Sequence, residues 1–188
     1  VYKRQDLHRV RSYKIRGAYN KISSLSKQQL ESGVVCASAG NHAQGVAFAC
    51  SHVQVKGTIY MPVVTPKQKI DQTKKFGGEW VDEDLEGDTF DDSKKAAELF
   101  CEQESKTFVH PFDDEKTIEG QATVGLEMLQ QSHVPIDYVF VAVGGGGLAS
   151  GLCGTFQALS PNTKIIGVEP EGAPSMLKSM EQGELVEL

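Results

Sequence analysis

The stretch Tyr138-Val139-Phe140-Val141-Ala142-Val143 is followed directly by Gly144-Gly145-Gly146-Gly147-Leu148-Ala149. The first six residues are apolar without alternation, which is typical of a central strand covered on both faces of a parallel sheet. Consecutive glycines before a helix let backbone N–H groups approach a ligand closely, and a helix N-terminus favours an anion. The stretch therefore predicts a phosphate site at a strand-to-helix turn.

Short β-rich runs alternate with amphipathic segments on both sides of this turn. Predicted strands cover Val34–Ala37, Thr58–Met61, Glu79–Val81, Thr107–His110, Tyr138–Val143 and Lys164–Val168. Predicted helices cover residues 15–31, 42–52, 66–76, 88–104, 115–131, 147–159 and 173–182. We expect Asp88 to be the N-cap of the fourth helix and the acidic run 82–88 to be a solvated loop with a helix start. The alternation predicts the α/β class, with βα units building a parallel sheet.

Composition excludes several classes of protein. The 188 residues include 19 Lys and Arg against 25 Asp and Glu, a net charge of −6, which argues against nucleic-acid binding. No apolar run approaches the roughly 18 to 20 residues of a membrane span, and no signal peptide is visible. The four cysteines lack metal or redox spacing, so we expect buried thiols in a reducing compartment and a cytoplasmic protein.

Two further segments carry residues suited to chemistry. Ser38-Ala39-Gly40-Asn41-His42-Ala43-Gln44-Gly45 also follows a short strand, and its hydroxyl, amide and backbone donors at a helix start suit a carboxylate, although a plain N-cap has the same pattern. Lys14 lies in Ser12-Tyr13-Lys14-Ile15-Arg16-Gly17-Ala18. A lysine near a helix start is usually a solvated charge, but desolvation can make it a Schiff-base nucleophile.

The glycine turn by itself leaves a second interpretation open. Gly144-x-Gly146-x-x-Ala149 fits a dinucleotide fingerprint, and Glu169 ends the next predicted strand, where a ribose-binding acid would lie. That fingerprint normally occupies the first βα turn of its fold, whereas this turn follows more than 130 residues. A nicotinamide-dependent oxidoreductase would also leave Lys14 and the Ser38–Gly45 segment without a role.

Taken together, the segments around Lys14, Ser38–Gly45 and Gly144–Leu148 resemble the three diagnostic segments of the threonine dehydratases, which are pyridoxal-phosphate enzymes of the tryptophan-synthase-β fold type. Supporting runs resemble the same family. They are Lys3-Arg4-Gln5-Asp6-Leu7, Val109-His110-Pro111-Phe112-Asp113-Asp114, Gly120-Gln121-Ala122-Thr123 and Gly167-Val168-Glu169-Pro170-Glu171. The resemblance spans essentially the whole chain, in the order and spacing of the family.

The resemblance implies a role for each segment. Lys14 would hold the cofactor aldehyde as a Schiff base and act as the catalytic base, with Tyr13 beside the pyridine ring. Asn41 would hydrogen-bond the phenolic oxygen of pyridoxal 5'-phosphate. The cofactor phosphate would be bound by Gly144, Gly145, Gly146, Gly147 and Leu148. The substrate carboxylate would be held by Ser38, Gly40, Asn41 and His42.

The resemblance also implies an architecture of three-layer parallel sheets in two lobes. Residues 1–32 and 111–188 would form a larger cofactor-anchoring lobe, and residues 33–110 a smaller substrate-side lobe. The chain departs from the family pattern at Gln5, where Glu is usual, and at Ala122, where Gly is usual. The family's partner for the pyridine nitrogen falls in a portion that this sequence does not contain, so we expect an incomplete part of a catalytic domain.

The expected reaction is the α,β-elimination of L-threonine, and of L-serine, to 2-oxobutanoate or pyruvate and ammonia, as in threonine ammonia-lyases of isoleucine biosynthesis. Serine dehydratase and serine racemase are alternatives within the family, and a catalytically inactive part that only folds or binds a partner is another. A racemase-type cation would draw on Glu169 and Ala173, but Ser175 stands where a carboxylate is expected, so no metal is predicted. We expect a small amino-acid substrate, a homo-oligomer when complete, and neither nucleic acid nor membrane as a partner.

Overall fold

The computed structural model describes residues 1–186, which divide into two compact units, the first spanning Val1–Pro111 and the second beginning at Phe112. The first unit contains four strands: β1 (Val34–Ala37), β2 (Gly57–Met61), β3 (Val81–Leu85) and β4 (Thr107–Phe108). Its helices are α1 (Lys14–Ser23), α2 (Lys27–Ser32), α3 (Asn41–Val53), α4 (Lys67–Gly77) and α5 (Phe90–Gln103). The strands form one parallel sheet in the order β3-β2-β1-β4, with Val34 opposite both Gly57 and Thr107.

Strand β1 is buried along its whole length because helices cover both faces of this sheet. Val34 and Cys36 pack with α1 and α3 residues such as Ala18 and Val46. Val35 and Ala37 point to the opposite face and pack with Ala97 and Cys101 of α5. The first unit is therefore a three-layer α/β arrangement, which confirms the predicted fold class.

The helix predicted over residues 15–31 is wrong as a single helix, since α1 ends at Ser23 and α2 begins at Lys27. Ser26 forms a capping box with Gln29, in which the Ser26 hydroxyl accepts from the Gln29 N–H and the Gln29 side chain accepts from the Ser26 N–H. Reciprocal capping of this kind starts a new helix rather than continuing an old one.

The acidic run was also assigned wrongly, because residues 81–85 form β3 at the edge of the sheet rather than a loop. Charged side chains on an edge strand discourage pairing with another chain. Glu83 turns inward beside Lys74, with only 5% of its side chain exposed. The N-cap of α5 is Thr89 and not Asp88, since Thr89 and Asp92 make a reciprocal capping box.

The second unit contains α6 (Glu115–Gln131), β5 (Tyr138–Ala142), α7 (Gly147–Leu159), β6 (Lys164–Val168) and α8 (Ser175–Gln182). Strands β5 and β6 pair in parallel, with Tyr138 opposite Lys164. Strand β5 alternates between exposed and buried residues, so the prediction that it is covered on both faces is wrong for the described residues. Val139 and Val141 are buried on one face of the strand, whereas Tyr138 and Phe140 are exposed on the other.

The division at Pro111 differs from the two lobes that the resemblance implies, and the lobe assignment stays a prediction. Cys36, Cys50 and Cys101 are buried, Cys153 is exposed, and none forms a disulfide. Across residues 1–186, no helix combines the length and apolar character that crossing a bilayer requires.

Candidate cofactor site

Lys14 is the first residue of α1, and its surroundings hold its amine in one place. The Ser12 hydroxyl accepts a hydrogen bond of 3.0 Å from the Lys14 backbone N–H. At the other end of the side chain, Lys14 Nζ donates to the Pro111 carbonyl oxygen at 2.6 Å. Nζ also lies 5.6 Å from the centre of the Tyr13 ring, within the range of a cation–π contact. The predicted Schiff-base lysine is therefore not a solvated surface charge.

Burial lowers the pKa of the Lys14 ammonium below its ordinary value, and burial raises the pKa of the Tyr13 hydroxyl. A neutral amine is the form that attacks a carbonyl carbon, so a lowered pKa increases the reactive fraction near neutral pH. Tyr13, in contrast, stays protonated. The two residues together present one nucleophile beside an uncharged aromatic ring.

The start of α3 carries the second predicted segment. Gly40 is the N-cap, and the Ser38 hydroxyl accepts a 3.2 Å hydrogen bond from the Gly40 N–H. The Asn41 side chain is exposed at the first helical position. The first backbone N–H groups of a helix have no intrahelical acceptor, so this end of α3 offers several donors to an anion.

Gly45 explains how α3 approaches Lys14 so closely. A Cβ on Gly45 would lie 3.1 Å from the Lys14 carbonyl carbon and 3.1 Å from the Ile15 nitrogen. Any larger side chain would push α3 away from the start of α1. The absence of a side chain at Gly45 therefore brings the lysine segment and the Ser38–Gly45 segment into direct contact within the first unit.

His42, the second residue of α3, is buried with 3% of its surface exposed. Its Nε2 lies 2.8 Å from the Val109 carbonyl oxygen. Burial lowers the pKa of the ring to about 4, against the opposing effect of this hydrogen bond, and the charges of Lys14 and His110 lower it further. His42 is therefore neutral at pH 7.

The glycine turn lies in the second unit, and its four glycines serve different purposes. Gly146 has φ of +84° and is the N-cap of α7, a conformation that favours glycine. A Cβ on Gly145 would lie 2.4 Å from the Phe112 ring, and one on Gly147 would lie 2.9 Å from the Phe112 backbone. A Cβ on Gly144 would meet no atom within 4 Å. The fold thus explains three of the glycines and leaves the space beside Gly144 open.

The backbone N–H groups of residues 144–149 donate no hydrogen bond to any described residue. These donors precede or begin α7, which is 13 residues long. Backbone donors at a helix N-terminus with room beside a glycine fit a phosphate group. The residues present at the turn therefore fit the phosphate of pyridoxal 5'-phosphate, with Leu148 in the first turn of the helix.

Glu169 follows β6, but it is engaged in the fold rather than facing a ligand. Its two carboxylate oxygens accept from the backbone N–H groups of Met176 and Leu177, each at 2.9 Å. A carboxylate at this position satisfies the first turn of α8 and complements its dipole. Both oxygens of the carboxylate that a ribose or a racemase-type cation would need are therefore already hydrogen-bonded. Residues 1–186 contain no cluster of three His, Cys, Asp or Glu side chains that could hold a metal ion.

A cavity of about 470 Å³ lies within the second unit between α6 and α7. Its lining includes Asp113, Asp114, Glu115 and Glu119, with Ala122 among the small residues. Such an acidic surface repels phosphate, so the cavity does not suit the cofactor. Ala122, one of the two departures from the family pattern, lines this cavity and also lies against Gly151 of α7.

The other departure, Gln5, keeps an acceptor where the family has a carboxylate. Gln5 Oε1 accepts from Arg16 Nε at 3.1 Å and lies 3.2 Å from His8 Nε2. The amide oxygen thus makes contacts that one carboxylate oxygen could make. Gln5 therefore links the N-terminal segment to α1.

Sequence reasoning missed three residues that contact the predicted site residues, two in the first unit and one in the second. The Pro111 carbonyl holds Lys14, the Val109 carbonyl holds His42, and Phe112 lies against Gly145 and Gly147. All three belong to the run Val109–Asp114, to which the resemblance assigns no individual role. Backbone carbonyls leave no residue-type signal, so only the fold reveals these contacts.

The chain is similar to known proteins along its whole length. The family model described as pyridoxal-phosphate dependent enzyme matches residues 1–188. Biosynthetic L-threonine dehydratases from Halalkalibacterium halodurans and Bacillus subtilis are 53% and 52% identical over 186 residues. These matches cover 99% of this chain but 45% and 44% of those proteins, so the chain spans less than half their length.

The fold of the chain is also similar to those of solved structures. The processed form of threonine deaminase isoform 2 from Solanum lycopersicum superposes with a TM-score of 0.94 at 47% identity, covering 98% of this chain and 53% of that one. Maize serine racemase superposes with a TM-score of 0.91 at 33% identity, covering 98% of this chain and 55% of that one. The tryptophan-synthase-β-like fold and the pyridoxal-phosphate cofactor are thus confirmed, and the nicotinamide alternative has no support. The chain belongs to the family of pyridoxal-phosphate dependent enzymes.

Proposed function

We propose that the complete protein is a threonine dehydratase that converts L-threonine to 2-oxobutanoate and ammonia, and L-serine to pyruvate and ammonia. The observation that carries this proposal is the half-buried Lys14 amine, whose pKa is lowered by burial and which donates to the Pro111 carbonyl. The identity of 53% to a protein named biosynthetic L-threonine dehydratase supports the choice of reaction. That name also supports a place in isoleucine biosynthesis.

In this proposal, Lys14 Nζ holds the cofactor and Tyr13 lies beside its ring. Asn41 hydrogen-bonds the phenolic oxygen of the cofactor, and the N–H groups of Gly144, Gly145, Gly146, Gly147 and Leu148 bind its phosphate. When bound, pyridoxal phosphate withdraws electrons from the bond between Cα and its hydrogen. The substrate amine would take the place of Lys14 Nζ, and the freed amine would then remove the α-proton as a general base, for which its lowered pKa suits it.

The start of α3 suits the substrate carboxylate. Ser38 accepts from the Gly40 N–H and keeps its own hydroxyl proton to donate. The backbone N–H groups of Asn41 and His42 lie in the first turn of α3, where the helix supplies no acceptor. We assign the carboxylate to these donors, with His42 acting through its backbone. Loss of the β-hydroxyl as water releases an aminocrotonate, which tautomerises and hydrolyses to 2-oxobutanoate and ammonia.

The racemase alternative is less favoured by the second unit. Glu169 caps α8 with both oxygens, and Ser175 occupies the position where a carboxylate ligand is expected. A chain arranged in this way offers one carboxylate, already engaged, to a cation. The protein is proposed to act in the cytoplasm as a homo-oligomer on a small amino acid, with no nucleic-acid or membrane partner.

The test compares L-threonine, L-serine and D-serine as substrates of the complete protein with added pyridoxal phosphate. We expect 2-oxobutanoate from L-threonine at the highest kcat/KM, pyruvate from L-serine at a lower one, and no inversion of serine. Inversion faster than elimination would establish a racemase instead. Binding of NADH in a fluorescence titration would support the oxidoreductase.

A further inference from the structure

Two side chains from different helices bind carbonyls of one short segment. His42 Nε2 donates to the Val109 carbonyl at 2.8 Å, and Lys14 Nζ donates to the Pro111 carbonyl at 2.6 Å. The two carbonyls belong to Val109-His110-Pro111, immediately after β4. The bonds join residues 67 and 97 positions apart in the chain, so they form only in the folded unit.

The bond to Val109 determines the protonation of the His42 ring. A carbonyl oxygen only accepts, so Nε2 must carry the proton. Nδ1 of a neutral ring is then an acceptor, and among the described residues it has no partner. The side chain has a single donor, and the Val109 carbonyl uses it. The ring is therefore unable to donate to a substrate carboxylate, and its function must be sought in the segment that it binds.

That segment is fixed at its first residue. The Val109 N–H donates to the Val35 carbonyl of β1 at 2.8 Å, and the Val109 side chain is completely buried. Proline locks its own φ and restricts the residue before it, so His110 and Pro111 have few alternative conformations. Once the Val109 carbonyl is held as well, both backbone polar groups of Val109 are fixed, so the chain that leads to the Pro111 carbonyl has little freedom to move.

We infer that His42 is a positioning residue for Lys14: its Nε2–H holds the Val109 carbonyl, which fixes the segment whose Pro111 carbonyl receives the Lys14 amine. This inference rests on the proposed function of Lys14 as the residue that holds the cofactor. In this inference the His42 ring positions the Lys14 amine, whereas the backbone N–H of His42 binds the substrate carboxylate.

The charges around His42 favour this role. Lys14 and His110 are the charged or titratable groups that act on the ring, and both oppose its protonation. Burial acts in the same direction and is the largest cause of the lowering of the ring pKa to about 4. The ring therefore keeps one tautomer, and one donor, throughout the neutral pH range.

The first test examines the ring in the complete protein prepared without cofactor. Nitrogen-15 NMR of the histidine side chains distinguishes the neutral Nε2–H tautomer from the Nδ1–H tautomer and from the cation. We expect His42 to be the neutral Nε2–H form from pH 5.5 to pH 8, roughly one unit or more above its lowered pKa. A titration near pH 6.5, or a proton on Nδ1, would overturn the inference.

The second test measures the pKa of Lys14 by trace acetylation with acetic anhydride followed by mass spectrometry, in the cofactor-free protein. His42→Gln places an amide N–H at about the reach of Nε2, whereas the His42→Asn side chain is too short. We expect His42→Gln to keep the wild-type pKa of Lys14 and His42→Asn to raise it by roughly half a unit or more, as the amine becomes solvated. Lys27, whose side chain is 91% exposed, is the internal reference.

The outcomes separate this inference from the proposed function. The positioning role would be contradicted if the wild type, His42→Gln and His42→Asn all had the same Lys14 pKa. It would also be contradicted if both variants raised the Lys14 pKa equally. If His42→Asn does not fold, the tautomer and the His42→Gln comparison still decide the matter. Failure of every protein to bind pyridoxal phosphate would refute the proposed function while leaving both measurements valid.

Discussion

The region around Lys14 and the glycine turn (residues 144–149) differ in how their polar groups are bonded. In the first unit, side chains of Lys14 and His42 are bound to carbonyls of the chain itself. In the second unit, the backbone donors of residues 144–149 bind no described residue. The fold thus positions the proposed nucleophile, whereas the donors of the turn remain available for the proposed phosphate. Substitutions around Lys14 should therefore change both protein stability and activity. In the glycine turn, one substitution should change stability and another should change cofactor binding.

The largest effect is expected from Lys14→Ala in the complete protein. Removing the amine removes both the covalent attachment of the cofactor and the base, so turnover of L-threonine should fall on the order of a thousandfold or more. Covalent attachment is measured by mass spectrometry after borohydride reduction. Lys27→Ala, which removes an exposed lysine of α2, is the control. Cofactor that stays attached in Lys14→Ala would disprove the assignment.

The glycine turn offers a pair of variants that should behave differently. Gly145→Ala forces a Cβ into the Phe112 ring and should lower the free energy of unfolding by about 2 kcal/mol. Gly144→Ala has room for its Cβ, so the protein should keep its stability. The added methyl group should displace the phosphate from its backbone donors, so we expect pyridoxal phosphate to bind roughly tenfold more weakly.

Urea unfolding and cofactor titration measure these two quantities. Gly154→Ala in α7 is the matched control, since a Cβ there also meets no atom within 4 Å. Should Gly144→Ala and Gly154→Ala bind the cofactor equally well, the turn would lose its proposed role.

The buried His42 predicts how stability responds to pH. The unfolded ring takes up a proton near pH 6.5 and the folded ring only near pH 4, so the unfolded state binds more protons between these values. Stability is therefore lost as pH falls through this window. Between pH 7 and pH 5 the cofactor-free protein should lose about 2 kcal/mol that His42→Gln does not lose. Equal losses in the two proteins, measured by urea unfolding, would show that the ring protonates freely.

The smallest effect is expected from Glu169→Gln in the second unit. The amide keeps one acceptor for the first turn of α8 but loses the charge, so we expect a loss of about 1 kcal/mol or less. Glu171→Gln, at an exposed position nearby, is the control. Activity in the presence of Mg²⁺ and of a chelator should be the same for both. A dependence on Mg²⁺ that only Glu169→Gln removes would point to a cation site instead.

The local sequence predicted much of the fold because capping and periodicity are local. Helices α6 and α7 have the predicted bounds of 115–131 and 147–159. The prediction missed the break between α1 and α2, although Ser26 and Gln29 have the capping-box spacing that marks it. Strand β3 was misjudged because its acidic residues have low strand propensity and are tolerated only at the edge of the sheet.

The candidate site was predicted in part for the same reason. Lys14, Ser38–Gly45 and the glycine turn each form a contiguous motif. The Pro111 and Val109 carbonyls act through the backbone, so no residue type marks them. Gly145 has no room for a side chain because the ring of Phe112, more than 30 residues earlier in the chain, lies against it. Such pairings follow from tertiary structure and are invisible to periodicity.

The central claim is that Lys14 and the glycine turn hold one cofactor. The most direct test compares labelling of Lys14 by pyridoxal phosphate and by pyridoxal, which lacks the phosphate, using borohydride reduction and peptide mapping of the complete protein. We predict a strong preference for pyridoxal phosphate at Lys14 that Gly144→Ala abolishes and Gly154→Ala preserves. Labelling of Lys14 that ignores the phosphate, or a preference that survives Gly144→Ala, would contradict the claim.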